Sequence, residues 1–249
     1  MSNSLPWKVV WITGASTGIG REIALQLASQ GVIVAASARS ADKLTGLGAT
    51  IKSYPLDVTD RAAVLQTIEV IERELGPIDL AILGAGSYSP VEVDKIDPDL
   101  FASIMNVNYI GVVSCLAGLL NSMLPRRAGH IAWIASIAGY RGLPKAAAYG
   151  PSKAALINLA ESLKPELDDR GITISVINPG FVETPMTAQN DFPMPFMMQA
   201  DEAARLTIEG LAKKRFEIAY PTRFVAILKI ARILPYWLFF RIIRGSVLK

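Results

Sequence analysis

The sequence predicts a single α/β domain of three layers, in which helices cover both faces of a doubly wound parallel sheet. Short apolar runs rich in β-branched residues alternate along the chain with helix-length amphipathic segments. Strands of continuous apolar sequence are typical of parallel sheets that are buried on both faces. A length of 249 residues suits one large domain of this class, and a hydrophobic content of 51% is enough for a sizeable core.

The first half of the chain predicts four strands and the helices between them. We expect strands within residues 8–16, 32–39, 51–60 and 78–86, and helices at 18–31, 41–48 and 61–76. The first helix is expected to stop at Gly31, and the last to end near Gly76, because glycine commonly follows a helix C-terminus.

The second half continues the alternation. We expect a long helix at 101–124, a strand within 129–139, a helix at 151–171 and a strand at 172–180. The stretch 101–125 contains 25 residues without a charge, so a membrane span has to be considered. Its asparagines and serines (Asn106, Asn108, Ser114, Asn121 and Ser122) make it too polar for that role. We therefore predict a helix that is buried in the fold or at a subunit contact.

The scarcity of cysteine and histidine excludes several classes of protein. A single cysteine, Cys115, rules out an intramolecular disulfide framework and a cysteine-based metal cluster. With His130 as the one histidine, a zinc or iron enzyme is disfavoured, and we predict no metal site. We expect Cys115 to be a small buried hydrophobic residue and His130 to be structural. Acid–base chemistry must then use Tyr, Lys, Asp, Glu or water.

Charge is distributed unevenly along the chain. Residues 218–249 contain six Lys and Arg and no acid, which leaves 19 basic against 22 acidic residues elsewhere. The sequence pI of about 9.0 is therefore a property of the tail and does not indicate a nucleic-acid-binding domain. The N-terminus lacks a basic segment followed by a long apolar one, so we predict a cytoplasmic protein without a signal peptide.

A glycine-rich turn follows the first strand and opens the first helix. Its sequence, TGASTGIG at 13–20, has the spacing G-x-x-x-G-x-G. Glycines allow close backbone approach, and helix N–H groups attract a pyrophosphate, so we predict a dinucleotide cofactor here. The predicted contacts are Gly14, Ser16, Thr17, Gly18, Ile19 and Gly20. A tight turn without a ligand is the alternative.

The end of the second strand indicates which cofactor binds. Arg39 occupies the place where an acidic residue normally holds the ribose 2′-OH of NAD, and neither Ser37 nor Ala38 supplies a carboxylate. Arg39, together with Ser16, favours the 2′-phosphate of NADP(H) over NAD(H). A solvated surface arginine is the alternative. Asp57 is expected to accept from the adenine amino group or to cap the following helix.

A tyrosine and a lysine stand four residues apart across a proline. Tyr149 and Lys153 share one helical face, and Pro151 between them is tolerated only in a first turn. A phenol has a pKa of about 10. The helix N-terminus and the ammonium group both favour phenolate, so we expect the pKa of Tyr149 to fall. Ser136 ends the strand before this helix, where its hydroxyl is placed to hold a substrate carbonyl oxygen.

Together these motifs identify a resemblance to the short-chain dehydrogenase/reductase family over roughly residues 8–186. The matching stretches are TGASTGIG, LDVTD, NVNYIG, IAWIASIAG, YGPSK and NPGFVETPM, in the order and spacing of that family. The resemblance implies a Rossmann-type fold, cofactor-dependent hydride transfer at a carbonyl or alcohol, and a homodimer or homotetramer.

The resemblance also implies roles for individual residues. Tyr149 would be the acid/base, Ser136 would orient the substrate, and Lys153 would bind the nicotinamide ribose and lower the pKa of the tyrosine. Asn108 would position the water of a proton relay. Further implied cofactor contacts are Asp57, Val58, Gly84, Gly86, Pro179, Gly180, Val182 and Thr184.

One segment departs from the family pattern. After the fourth strand the family usually reads Asn-Asn-Ala-Gly, whereas this chain reads Leu83-Gly84-Ala85-Gly86. Those asparagines mainly tie the central sheet together, so their loss raises a question of local stability. Gly84 and Gly86 still allow close approach of the cofactor.

Two C-terminal segments bear on the substrate and on partners. We assign residues 1–221 to the catalytic domain, with a lid at about 185–215 rich in Phe and Met, which favours a hydrophobic substrate. A loop packed on the core or on another subunit is the alternative. Residues 222–249 form a basic amphipathic tail within the same unit, expected to lie in a membrane interface or to dock as a helix on the domain or a partner.

The leading hypothesis is an NADP(H)-dependent oxidoreductase acting on a carbonyl or alcohol of a hydrophobic small molecule. A second hypothesis is a reductase of a keto-lipid that works at a membrane face. A third, from another class, is an NADP-binding regulatory or scaffold protein without turnover. The complete set of Ser136, Tyr149 and Lys153 argues against the third.

Overall fold

The computed structural model describes residues 5–45, 47–48 and 50–247 as one domain built on a parallel sheet. The strands are β1 Val9–Thr13, β2 Ile33–Ser37, β3 Ile51–Ser53, β4 Leu80–Leu83, β5 Gly129–Ile134, β6 Ile172–Pro179 and β7 Glu217–Tyr220. Their order in the sheet is β3-β2-β1-β4-β5-β6-β7, and every pair is parallel. The predicted fold class is confirmed. The chain reverses its winding between β1 and β4, and ligands of such sheets bind at that point.

Helices cover both faces of the sheet. They are α1 Gly18–Ser29, α2 Ala41–Thr45, α3 Arg61–Leu75, α4 Pro98–Met105, α5 Gly111–Arg126, α6 Tyr149–Asp168, α7 Ala200–Ala212, α8 Thr222–Ile233 and α9 Tyr236–Val247. One apolar core lies between the sheet and α1, α2 and α7. The other lies between the sheet and α3, α5, α6 and α8.

The predicted helix ends are largely correct. Asp60 caps α3 by accepting from the Ala63 N–H at 3.0 Å, and Gly76 follows its last turn with φ of 97°. Gly31 follows α1 with φ of 83°. The helix predicted at 41–48 is short, since α2 ends at Thr45, and Gly46 lies outside the described residues.

The long uncharged segment is helical throughout. A π-helical stretch, Asn106–Ile110, joins α4 to α5. Within the described residues one helical span, Pro98–Arg126, is long and apolar enough to cross a membrane by length and composition alone, with a mean hydropathy of 1.6. It packs on α3, where a Cβ at Gly118 would lie 2.6 Å from Ile68.

Three features of the C-terminal region differ from the expectations. The segment expected as a lid contains the core helix α7, because its small residues Ala203 and Ala204 pack fully buried in the core shared with α1. Strand β7 was not anticipated. The tail is two helices, since α8 ends at Ile233 and α9 begins at Tyr236 after Pro235. Leu248 and Lys249 of the tail lie outside the described residues.

The missing asparagines after β4 are compensated in the structure. The Thr13 Oγ1 accepts from the N–H groups of Gly84 and Ala85 at 3.1 and 3.3 Å, which ties β1 to the end of β4. The Ile134 side chain lies 2.9 Å from the place where a Cβ on Gly84 would stand. Gly84 therefore makes room for Ile134, and Leu83 is a buried core residue.

Candidate active site

A cleft of about 400 Å³ opens at the carboxyl ends of β1, β4, β5 and β6. Every predicted site residue except Asn108 lines it. These residues are Gly14, Ser16, Thr17, Gly18, Ile19, Gly20, Arg39, Asp57, Val58, Gly84, Gly86, Ser136, Tyr149, Lys153, Pro179, Gly180, Val182 and Thr184. The structure thus brings together residues that are spread over 170 positions of the sequence.

The glycine turn forms one surface of the cleft, and its glycines could not be replaced by residues with a side chain without strain or a clash. Gly14 and Gly18 have φ of 72° and 56°, in the left-handed region that favours glycine. A Cβ on Gly20 would lie 2.5 Å from the main-chain oxygen of Gly14. The Thr17 side chain does not cap the N–H groups that open α1. Those groups line the cleft, and a helix N-terminus of this kind is suited to a phosphate.

Two cations lie at the far end of the cleft. Arg39 follows β2 as predicted, and Lys43 of α2 lines the same end, although no specific pattern in the sequence predicts this for Lys43. Both side chains are exposed. Asp57 accepts from the N–H and hydroxyl of Thr59 at 2.9 and 2.8 Å, and these bonds lower its pKa. The expectation that Asp57 caps α3 is wrong, because Asp60 does so.

Ser136 and Tyr149 meet at the other end of the cleft. Tyr149 begins α6, and Pro151 lies in its first turn as predicted. The side chain of Ser136 accepts from the Ala138 N–H at 3.1 Å, donates to the Pro179 main-chain oxygen at 3.4 Å, and lies close enough to Tyr149 to influence the pKa of its phenol. The two hydroxyls are therefore adjacent at the carboxyl edge of the sheet.

The expected fall in the pKa of Tyr149 is wrong for this structure. Burial raises the pKa of Tyr149 to about 12, and the bond from Ser136 only partly opposes that rise. Burial also lowers the pKa of Lys153 to about 7, so that the lysine is only partly charged at neutral pH. Both effects have one physical cause, which is the removal of charged forms from water.

Lys153 is held under the tyrosine by the main chain. Its Nζ donates to the Ile134 oxygen at 2.8 Å and lies 5.4 Å from the centroid of the Tyr149 ring. The residue is only 4% exposed. Lys153 therefore has a fixed position between the end of β5 and the ring of Tyr149 on α6.

Asn108 lies just behind the cleft, in the π-helical stretch. Its Oδ1 accepts from the Ser87 N–H at 2.7 Å, and its Nδ2 donates to the Ser87 oxygen and to Ser152 Oγ, both at 2.9 Å. Ser152 in turn donates to the Tyr149 main-chain oxygen at 2.7 Å. Sequence reasoning missed Ser152, which connects the asparagine to the first turn of α6.

A small space beside Gly86 separates Asn108 from Lys153. A Cβ on Gly86 would lie 3.5 Å from Asn108 Oδ1 and 3.7 Å from Lys153 Nζ. The amide donors of Asn108 are both used, but each carbonyl oxygen has two lone pairs. A polar group at this point would therefore have an acceptor on one side and the amine on the other.

Two polar contacts join the segment 185–199, which the sequence predicts to be part of a lid, to the rest of the domain. Tyr88 donates to Asn190 Oδ1 at 2.7 Å, and Lys145 pairs with Asp191 at 2.7 Å. The Tyr88 ring also contacts the Tyr149 ring edge-on, with centroids 5.2 Å apart. Of the segment 185–199, Pro185, Met186 and Thr187 line the cleft.

Aromatic side chains pack on one another next to the cleft, where Phe224 lies 3.2 Å from the place of a Cβ on the cleft residue Gly180. The Phe181 ring lies 6.2 Å from that of Phe192 and 5.6 Å from that of Phe224, and Phe196 lies 5.7 Å from Phe224. Phe224 belongs to α8, so the tail contributes to this aromatic cluster. The sequence suggested an apolar segment after Thr184 but gave no indication that a tail residue packs beside it.

The two residues set aside as structural lie outside the cleft lining. His130 Nε2 is 2.9 Å from Ser175 Oγ, and burial lowers the pKa of the imidazole to about 4. Cys115 is buried in α5, as predicted, and burial raises the pKa of its thiol to about 12. In the described part of the chain, no cluster of three or more His, Cys, Asp or Glu residues is arranged to hold a metal ion.

The family is established by comparison. Residues 8–193 match the model of the short chain dehydrogenase family, so the chain belongs to that family. An uncharacterized oxidoreductase of Myxococcus xanthus is 35% identical over 242 residues, covering 94% of this chain and 96% of that protein. The 3-oxoacyl-acyl-carrier-protein reductase of Salmonella typhimurium is 35% identical over 188 residues, covering 74% and 77%.

Solved structures agree with this assignment. A short chain dehydrogenase/reductase from Burkholderia phymatum in complex with NAD has a TM-score of 0.84 at 24% identity, covering 92% of this chain and 94% of that one. A variant of actinorhodin polyketide ketoreductase with NADPH has a TM-score of 0.77 at 26% identity, covering 87% and 95%. The protein is an NAD(P)-dependent oxidoreductase of this family.

Proposed function

We propose that the protein transfers hydride between NADP(H) and a carbonyl or alcohol of a hydrophobic small molecule, with Tyr149 as general acid/base. The observation that carries the proposal is the convergence of Ser136, Tyr149 and Lys153 at one end of the glycine-floored cleft. When bound, the nicotinamide supplies or accepts the hydride. The residues of this chain then need only orient the carbonyl and move one proton.

Ser136 and Tyr149 would act on the same substrate oxygen. Ser136 lies close enough to the phenol of Tyr149 to influence its pKa, so a carbonyl oxygen placed between the two hydroxyls would receive one hydrogen bond from each. A phenol whose pKa is about 12 stays protonated at neutral pH, which suits donation to the oxygen in the reductive direction. Ser136 would polarise the carbonyl and hold it in line with the tyrosine.

Lys153 and Asn108 would return the proton to the tyrosine. The space beside Gly86 lies within van der Waals distance of both Lys153 Nζ and Asn108 Oδ1. We assign a relay water to this space, bound by the second lone pair of the amide oxygen. Lys153, with a pKa of about 7, can release and accept a proton under physiological conditions. It would also hold the nicotinamide ribose.

The cleft fits a dinucleotide cofactor on the chemistry of its lining. Gly14, Gly18 and Gly20 leave a floor without side chains, and the opening N–H groups of α1 are suited to the pyrophosphate. Arg39 and Lys43 at the far end, together with Ser16, favour the 2′-phosphate of NADP(H) over NAD(H). Asp57 and Val58 would border the adenine. Pro179, Gly180, Val182 and Thr184 would border the nicotinamide.

The substrate is proposed to be apolar because of the residues that lie next to the cleft. Phe181, Phe192, Phe196 and Phe224 form an aromatic cluster beside the cleft residue Gly180, and the segment 185–199 carries Met186, Met194, Met197 and Met198. Aromatic and thioether side chains form adaptable apolar pockets. The relative from Salmonella typhimurium is by name a reductase of a 3-oxoacyl group, which is an apolar chain with a ketone.

The experiment is a survey of NADPH oxidation over matched ketones. Each apolar ketone is paired with a polar ketone of the same length, and NADH is run in parallel. We expect the higher kcat/KM for the apolar member of each pair and for NADPH. Higher values for the small polar ketones would reject the substrate class, and higher values with NADH would reject the cofactor assignment.

The exposed apolar residues of the tail favour a second candidate function, the reduction of a keto-lipid at a membrane face. It differs from the first in where the substrate resides. A ketone with a long acyl chain, presented in vesicles and in detergent-free solution below its solubility limit, separates the two. The membrane-face function requires faster turnover of the vesicle-bound form.

The proposal extends to assembly and location. We propose a homodimer or homotetramer in the cytoplasm, peripherally associated with a membrane. In the span Pro98–Arg126, only a third of the most apolar 18-residue stretch is buried within the chain. The rest of that stretch leaves an apolar surface for a second copy. Analytical ultracentrifugation tests the assembly, and a monomer at micromolar concentration would reject it.

A further inference from the structure

The two C-terminal helices leave an apolar surface exposed. Of the twelve exposed large hydrophobic side chains among the described residues, seven lie between residues 227 and 242. They are Ile227, Ile230, Ile233, Tyr236, Trp237, Phe240 and Ile242. Single exposed hydrophobic residues are normal on soluble proteins, but a concentration of them marks an interaction surface.

The exposed residues have helical spacing. Ile227, Ile230 and Ile233 recur at intervals of three on α8, whose buried residues are Val225 and Leu228. On α9, Trp237 shares a face with Arg241 and Arg244, while Phe239 is buried on the other side. The outer faces of the two helices, which we call the tail surface, thus combine isoleucine, aromatic and arginine side chains.

The tail surface is fixed in its outward orientation by Arg141. The Arg141 guanidinium donates to the main-chain oxygens of Ala231, Arg232 and Leu234, at 3.1, 2.6 and 3.1 Å, where α8 ends. It also lies 4.9 Å from the ring centroid of Tyr236 and 4.3 Å from that of Phe239. One side chain from outside the tail therefore holds both tail helices, and the side chains on their outer faces are exposed.

Charge distinguishes this surface from the rest of the molecule. Residues 218–249 contain six basic side chains and no acid, whereas the remainder has 19 basic and 22 acidic residues. Among the ion pairs between described residues, the only one that involves a tail cation is Lys229 with Glu217 of β7. Arg241 and Arg244 lie beside Trp237 and Phe240 on the exposed side of α9.

We propose that the tail surface binds the face of an anionic lipid bilayer. Trp237 and Phe240 would lie at the boundary between headgroups and acyl chains, and Arg241 and Arg244 would contact lipid phosphates. Each tail helix has 12 residues, too few to span a bilayer, so the helices lie in its surface. This docking is independent of the proposed reaction, because it uses no residue of the cleft.

A bilayer fits the surface better than a second copy of the chain does. A two-fold contact of the tail surface with itself would bring the two sets of arginines together with no acid between them. Like charges at an interface are destabilising. An anionic bilayer instead supplies negative charge and an apolar layer, and both are complementary to this surface.

The test is flotation of the full chain with vesicles, at low and high salt. Vesicles of phosphatidylglycerol mixed with phosphatidylcholine are compared with vesicles of phosphatidylcholine alone. We expect flotation with the anionic vesicles, weakened by salt. Tryptophan fluorescence reports the site directly, since Trp7, Trp11 and Trp133 are buried and Trp237 is 70% exposed. A blue shift on vesicle addition that is lost in Trp237→Phe is expected.

Two pairs of variants separate the apolar and charged contributions. Trp237→Ser with Phe240→Ser should weaken binding about tenfold for each side chain. Arg241→Gln with Arg244→Gln should weaken it about fivefold for each charge. The matched controls are Val93→Ser with Ile96→Ser, which are 88% and 60% exposed and lie outside the tail in sequence, and Arg73→Gln with Lys95→Gln. The controls should bind like the parent.

Two outcomes would overturn the proposal. The folded parent chain could fail to float with anionic vesicles, or the Trp237 and Phe240 variant could float as well as its control. If the parent fails to float and the same variant changes the oligomeric state, the tail surface is assigned to contact between copies of the chain. Activity in solution should be unchanged in every variant, so that failure of docking is distinguishable from failure of the proposed reaction.

Discussion

Lys153 Nζ donates to the main-chain oxygen of Ile134 at 2.8 Å while lying 5.4 Å from the centroid of the Tyr149 ring. This relationship fixes the amine between the end of a central strand and the proposed acid. Burial of the pair raises the pKa of Tyr149 to about 12 and lowers that of Lys153 to about 7. The site therefore holds a protonated phenol beside an amine that titrates near neutrality.

Lys153→Met should stabilise the protein without its cofactor at low pH. Burial depresses the pKa of the folded-state lysine below its unfolded value, so the charged amine destabilises the fold below about pH 7, and this cost declines as pH rises toward the unfolded pKa. We expect a gain of about 1–2 kcal/mol in the free energy of unfolding at pH 6. Urea unfolding of the parent and the variant at pH 6 and pH 9 measures this gain. A gain that is larger at pH 9 than at pH 6 would contradict the lowered pKa of Lys153.

Gly86→Ala should block the proposed relay water. The added methyl group would lie 3.5 Å from Asn108 Oδ1 and 3.7 Å from Lys153 Nζ, which are ordinary contacts, so the fold should tolerate it. We expect kcat to fall about tenfold or more. Gly142→Ala, where a Cβ would have no neighbour within 4 Å, is the matched control. Steady-state kinetics of both variants test the proposed water. A kcat of Gly86→Ala equal to that of Gly142→Ala would show that the mechanism does not use a water at this place.

The protein should lose stability on mild acidification because of His130. Burial lowers the pKa of the folded-state imidazole to about 4, below its ordinary value of 6.5, so only the unfolded chain gains a proton between these values. Stability that is present above about pH 6.5 is then lost as pH falls toward 4. Thermal unfolding of the parent and of His130→Phe across this range measures the effect. The variant should give a flatter profile, and parallel profiles would contradict the account.

Arg39→Ala and Lys43→Ala should each raise the KM for NADPH and leave that for NADH unchanged. A hydrogen bond to a charged group contributes about 1.5–3 kcal/mol, so about a tenfold rise or more is expected for each contact that is made. Arg39→Asp should go further and reverse the preference. Steady-state kinetics with NADPH and with NADH measure the ratio of the two KM values. An unchanged preference for NADPH in Arg39→Asp would show that Arg39 does not determine the cofactor preference.

The parallel sheet and most of the cleft were predictable from sequence because both depend on local patterns. Apolar strands, the glycine turn and the spacing of Tyr149 and Lys153 each follow from neighbouring residues. The carboxyl ends of parallel strands meet at one edge, so the convergence of Ser136 with the turn also followed from fold class.

The features that were missed depend on contacts between distant parts of the chain. The short helix that carries Lys43 was predicted, but the place of Lys43 in the cleft lining was not, because that lining is formed by residues from many parts of the chain. Ser152 was overlooked because its role comes from Asn108, which is 44 residues away. The pKa of Tyr149 was misjudged for a similar reason, since the burial that raises it is supplied by the surrounding fold.

The account makes Tyr149 the group that moves the proton, and the most direct measurement is the turnover of Tyr149→Phe with NADPH and the best ketone of the survey. The ring remains to pack against Tyr88, so the fold and NADPH binding, followed by titration of cofactor fluorescence, should be retained. The account predicts a fall in kcat of about a hundredfold or more. A variant that binds NADPH normally and turns over at the parent rate would contradict it.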